Sequence, residues 1–89
     1  MPDVTLRLAD EFVESLAEIH STRLLERIKS LVSSIASFPE LGSPVVRKSL
    51  VARYGNKLRH VAVAQFVIVY RHANNVVDIL ALVYGPRII

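Results

Sequence analysis

The chain has 89 residues, of which 52% are hydrophobic and 21% charged, with a net charge of +3 and no cysteine. That length fits one small domain, residues 1–89, which buries only ~60–65% of the surface its unfolded chain exposes, and so apolar a composition opposes disorder. The lack of cysteine excludes a disulfide scaffold or a cysteine-ligated zinc finger and fits a reducing compartment.

The first twelve residues, MPDVTLRLADEF, carry no basic region followed by an apolar run, so they do not read as a signal peptide. Residues 4–8 alternate Val4, Leu6 and Leu8 with Thr5 and Arg7, the period of a strand. Residues 10–20 gather Phe12, Leu16 and Ile19 on one helical face, and Asp10 and Glu11 suit the positive end of a helix dipole. Residues 22–38 repeat the pattern with Leu24, Leu25, Ile28, Leu31, Val32 and Ile35. Ser21 and Thr22 are a weak break, consistent with one bent helix or with a helical hairpin, of which the hairpin is expected, and Pro39, Gly42 and Pro44 oppose continuation of the second helix. Residues 47–59 read as a basic loop. Residues 58–63, 66–72 and 76–83, rich in β-branched and aromatic side chains, read as strands, with Asn74-Asn75 as a two-residue turn and Ala64-Gln65 as a weaker one. The longest apolar stretches, around 61–70 and 76–84, fall short of the ~20 residues a membrane span needs, so a cytoplasmic protein without membrane association is expected. The predicted fold is α+β: a small antiparallel sheet in the order β-α-α-β-β-β, with the helical hairpin packed on one face.

Charge divides at the same place as periodicity. Residues 1–46 hold four basic and seven acidic side chains, net −3; residues 47–89 hold seven basic side chains against Asp78 alone, net +6. Nucleic acid or an acidic protein surface is the matching partner for the second half. Both registers of the strand at 66–72 are apolar, although an antiparallel sheet covered on one side should have a polar outer face. Val67 and Val69 are therefore expected in an exposed patch that meets a partner or forms a dimer. The competing reading is that the loop at 47–57 or the C-terminal tail folds over them.

The second half also resembles a known family. Pro39, Leu41 and Gly42 at the end of the second helix, Leu58-Arg59 at a strand start, Phe66, Ile68, Tyr70 and Arg71 along a strand, and Tyr84-Gly85-Pro86-Arg87 at the end resemble the RelE/ParE toxins of type II toxin–antitoxin systems. The resemblance implies a growth-arresting toxin neutralised by an antitoxin encoded beside it. It also implies one of two activities: cleavage of messenger RNA on the ribosome, or binding of DNA gyrase so that it is trapped on cleaved DNA. An inactive member that only binds its antitoxin is a third reading.

Ribonuclease chemistry needs a base for the 2′-hydroxyl, an acid for the leaving oxygen and cations for the phosphate. The ribonuclease branch commonly has an arginine after the aromatic that aligns with Phe66, and lysines where this chain has Leu58 and His60; here Val67 follows the aromatic. A ribonuclease centre would thus rest on His60, Arg87 and Arg59, a depleted set. The FVIVYR strand and the Tyr-Gly-x-Arg ending look more like the gyrase-binding branch, although that branch usually has a longer helical hairpin. The residues offered for nucleic-acid or target binding are Arg47, Lys48, Arg53, Tyr54, Lys57, Arg71 and Tyr84. Charge pairing between Arg71 and Asp78 across the last hairpin is also expected. Neither a metal nor a cofactor is expected, because the histidines share no ligand spacing.

Overall fold

The strand-forming segments assemble into one four-stranded sheet in a computed structural model that describes residues 4–44 and 47–87. In chain order the elements are β1 (Thr5–Leu8), α1 (Asp10–Ala17), α2 (Thr22–Ser37), α3 (Lys48–Tyr54), β2 (Leu58–Val63), β3 (Phe66–Ala73) and β4 (Val76–Tyr84), with a closing 3-10 turn at Gly85–Arg87. The spatial order is β1-β4-β3-β2. Strands β2, β3 and β4 are antiparallel, and β1 joins β4 in parallel as the sheet's edge, so the sheet is mixed. The α+β architecture and the helical hairpin are as expected from the sequence.

Local chemistry explains the element ends. Asp10 and Glu11 occupy the first turn of α1, and the Ser21 hydroxyl accepts from the Leu24 amide at 3.2 Å to cap α2. Asn74 and Asn75 take φ of 52° and 63° between β3 and β4, the left-handed pair of a type I′ turn. Ala64 takes φ 53° between β2 and β3, so the weaker turn signal marks a real turn.

The hairpin of α1 and α2 covers one sheet face. Phe12, Ile28 and Ile35 bury themselves there against Val63, Ile68, Tyr70, Val77, Ile79 and Leu82. The other face is not open. Residues 48–54, expected within a loop, form α3, which sets Leu50 against Leu58, Val69 and Ala81, with Val51, Tyr54, Val67, Leu80 and Val83 around them. Val69 is fully buried and Val67 half-buried, so the expected exposed patch is instead a second core. Of the two readings of that face, the one in which the segment at 47–57 folds over it describes the structure.

A β-bulge lets β4 serve both cores. Val69 pairs with Ala81 and Tyr70 with Ile79, which leaves Leu80 as the extra residue. Val77 and Ile79 before the bulge and Leu82 after it all reach the hairpin side, while Leu80 and Ala81 both reach the α3 side. Apolar residues on both faces of the strands are thus used within the chain.

Candidate functional site

Three polar arrangements surround the sheet. The first locks the turn after α2. The buried Tyr70 hydroxyl donates to the Pro39 carbonyl and accepts from the Gly42 amide, both at 2.7 Å. Burial pushes the Tyr70 phenol up, partly offset by the Gly42 amide and by Arg59. Arg59, directly opposite Tyr70 on β2, donates through Nη1 to the Gly42 carbonyl at 2.6 Å and to the Glu40 carbonyl at 3.3 Å. Ser43 then exchanges backbone hydrogen bonds with His60 at 3.0 Å in each direction, extending the sheet edge. Arg59, expected as a catalytic cation, holds backbone carbonyls. Phe38 and Leu41 stand out from this fixed turn, 69% and 50% exposed.

The second arrangement clasps α3 to α1. Glu11 accepts from Arg53 Nη2 at 3.0 Å and from the Tyr54 hydroxyl, and the Arg53 guanidinium lies 5.3 Å from the centre of the Tyr54 ring. Arg71 donates to the Tyr54 carbonyl, fixing the end of α3 from below. Burial first, then the hydrogen bond to Glu11, pushes the Tyr54 phenol up to about 12. A phenol held neutral in this way adds stability that is complete below its unfolded value of about 10 and is lost as pH rises through about 12. Replacing Glu11 by glutamine removes the anion but leaves the burial. In an ultraviolet titration of the three tyrosines, one phenol should then ionise at lower pH, and an unchanged curve would show that Glu11 does not govern Tyr54.

The third is an ion pair at the edge. Register puts Arg71 opposite Asp78, as expected, and its charge acts on the carboxylate, but the hydrogen-bonded ion pair is made by Arg7 of β1, which donates Nε to Asp78 Oδ1 at 2.6 Å and Nη2 to Oδ2 at 3.0 Å. Arg7 holds the Asp78 carboxyl below the usual carboxylate range. Arg7 is not recognisable as a partner of Asp78 from the sequence, because nothing there places β1 beside β4.

The remaining candidates lie apart. His60 is half-buried on β2, and its Nδ1 is buried with no hydrogen-bond partner among the described residues. Alternation along β2 puts Leu58 and His60 on the sheet face beneath α3, the face that Val67 and Val69 share. Arg47, Lys48 and Lys57 are exposed and make no ion pair among the described residues. Tyr84, 38% exposed, packs edge-on to Phe66 with ring centres 5.8 Å apart. It borders a cleft of about 320 Å³ with Glu11, Ser49, Arg53 and Tyr54. Arg87 ends the 3-10 turn, and its side chain lies outside the described residues. Of the expected catalytic residues, Arg59 is turned to the loop and His60 is on the opposite sheet face. Among the described residues no group of three or more histidine, aspartate or glutamate side chains could hold a metal, and no helix is long and apolar enough to cross a membrane.

Glu11 and Gly42 are not among the site residues expected from the sequence. Glu11 read as a helix-dipole residue, and only the fold brings Arg53 and Tyr54 to it. The signal for Gly42 lay in the Pro-x-Leu-Gly ending, whose steric reason appears only with Tyr70 in place.

Two solved structures share the fold. The RelBE2 toxin–antitoxin complex from Mycobacterium tuberculosis superposes with a TM-score of 0.71 at 16% identity, over 92% of this chain and 98% of that one. The intact E. coli RelBE toxin–antitoxin complex gives 0.70 at 11% identity, over 90% and 94%. No curated protein matches the sequence. The family model for the ParE toxin of the type II toxin–antitoxin system parDE matches residues 6–88, nearly the whole chain. The chain belongs to the ParE toxin family of type II toxin–antitoxin systems.

Proposed function

We propose that this toxin arrests growth in the cytoplasm by binding DNA gyrase and trapping it on cleaved DNA, and that an antitoxin encoded beside it neutralises it. The observation that carries this reading is the composition of the sheet face under α3. The positions where the ribonuclease branch places cations are Leu58, His60 and Val67, and they lie over a floor formed by Val69 and Ala81. An apolar floor closed by a helix offers a phosphate neither cation nor water, whereas binding a protein target needs no aligned acid and base. Protein-binding surface is available elsewhere: Leu6, Leu8, Val13, Phe38 and Leu41 are all more than a third exposed. Such residues suit an antitoxin that wraps the chain, or a homodimer of the free toxin, and the toxin–antitoxin complexes that share the fold support the former.

His60 separates this reading from ribosome-dependent cleavage of messenger RNA. If binding is the activity, folded His60→Ala should arrest growth at the same inducer level as the parent chain and induce the DNA-damage response equally. Arrest lost while the fold is retained would restore His60 as an acid or base and favour the ribonuclease.

A further inference from the structure

The basic surface of α3 and its flanks finds no use in the fold. From Leu41 to Val77 the chain contains no aspartate or glutamate, and it contains six lysines and arginines. Three of the six are committed: Arg59 to the carbonyls of Gly42 and Glu40, Arg71 to the Tyr54 carbonyl, and Arg53 to Glu11. Arg47, Lys48 and Lys57 stay exposed without an ion pair among the described residues, all within eleven residues of chain. The apolar side chains of α3, Leu50, Val51 and Tyr54, point into the second core, so its outer surface consists of Lys48, Ser49, Ala52 and Arg53.

That composition discriminates between partners. A protein interface takes most of its energy from aromatic or aliphatic anchors in desolvated pockets, and the outer surface of α3 offers no such anchor. A phosphate backbone needs none, because neutralisation by cations releases condensed counterions and that release drives binding. Of the exposed large hydrophobics, Leu6, Leu8, Val13, Phe38 and Leu41 belong to β1, α1 or the turn after α2, and Tyr84, at the end of β4, packs edge-on to Phe66 rather than standing on α3. We infer that Arg47, Lys48 and Lys57 form a phosphate-contacting surface with which the toxin grips the duplex DNA held by its target. The inference rests on the gyrase reading and adds to it a direct contact between toxin and DNA.

The test uses the full chain and a fluorescently labelled duplex of random sequence, without gyrase. Three phosphate contacts predict a slope of about −2.7 for log affinity against log salt, or roughly a 40-fold loss between about 50 and 200 mM. Each of Arg47→Ala, Lys48→Ala and Lys57→Ala should reduce that slope by about 1, equally for unrelated sequences. No binding to the duplex at low salt, or a triple variant with undiminished affinity, would overturn the inference. So would tighter binding to single-stranded RNA or to an acidic peptide than to the duplex. Gyrase cleavage complexes that form with wild type while duplex binding fails would remove this inference alone. Duplex binding with no cleavage complexes would remove the gyrase reading and leave the surface standing.

Discussion

Replacing Gly42 with alanine is expected to destabilise the fold by about 3 kcal/mol, although only one methyl group is added. A Cβ at this position would lie 2.7 Å from the Tyr70 hydroxyl, 2.8 Å from Tyr70 Cε1 and 2.9 Å from the His60 carbonyl oxygen. The neighbours cannot yield easily. Tyr70 is fully buried, with its hydroxyl held by Pro39 and Gly42, and the His60 carbonyl is bonded to the Ser43 amide. The turn must move, which breaks the Tyr70 bonds and pulls on Arg59. In a domain of this size the loss corresponds to roughly 12–24 °C in Tm, readable by calorimetry. Tyr70→Phe is the control. It removes the hydroxyl without a clash and leaves the Gly42 amide and Pro39 carbonyl unpaired, for about 1–3 kcal/mol. The two changes should be less than additive in the double variant, because without the hydroxyl the nearest clash is gone. Full additivity would mean that Tyr70 does not set the cost at Gly42.

The second large effect belongs to the face under α3. Val69→Asp should cost about 3–5 kcal/mol, since it leaves a carboxylate without a partner in the second core. A chain of 89 residues has about 4–13 kcal/mol in all, so this variant should be largely unfolded or greatly lowered in Tm. If the face were open, as the strands alone suggest, the same change would improve solubility at little cost. Leu50→Ala approaches the question from the other side: truncating the one fully inserted side chain of α3 should destabilise by about 2–4 kcal/mol. A folded, stable Val69→Asp would show that α3 does not seal the sheet.

These two positions also show what the sequence could and could not convey. The helical hairpin was legible because α2 repeats its apolar stripe through Leu24, Ile28, Leu31 and Ile35 and is capped by Ser21. The Asn74-Asn75 turn was legible because two asparagines tolerate the left-handed region. Helix α3 was not. Seven residues are too few for periodicity to emerge, and Arg47, Lys48 and Arg53 give the segment the look of a solvated loop. Two clues were nevertheless present. A glycine, Gly55, immediately follows Tyr54, where helices commonly stop, and the doubly apolar third strand needed a cover.

The candidate site was less legible than the fold. The residue types were visible, but their roles depend on which sheet face each occupies, and a shift of one residue exchanges the faces. Arg59 falls on the hairpin side, where Gly42 and Glu40 take its hydrogen bonds, while His60 falls beneath α3. The Leu80 bulge is hidden in Ile79-Leu80-Ala81-Leu82, where every side chain is apolar and no alternation shows the phase change. Arg7 and Asp78 are 71 residues apart, and only the parallel placement of β1 joins them.

The proposed activity of this toxin is binding of gyrase and not cutting of RNA. Its most direct test puts the purified chain with gyrase and supercoiled plasmid in one reaction and with programmed ribosomes in another. A gyrase-binding toxin should give linear DNA, released when the trapped enzyme is denatured and digested, and intact messenger RNA on the ribosomes. Codon-positioned cuts in the messenger RNA, with the plasmid left uncleaved, would contradict it.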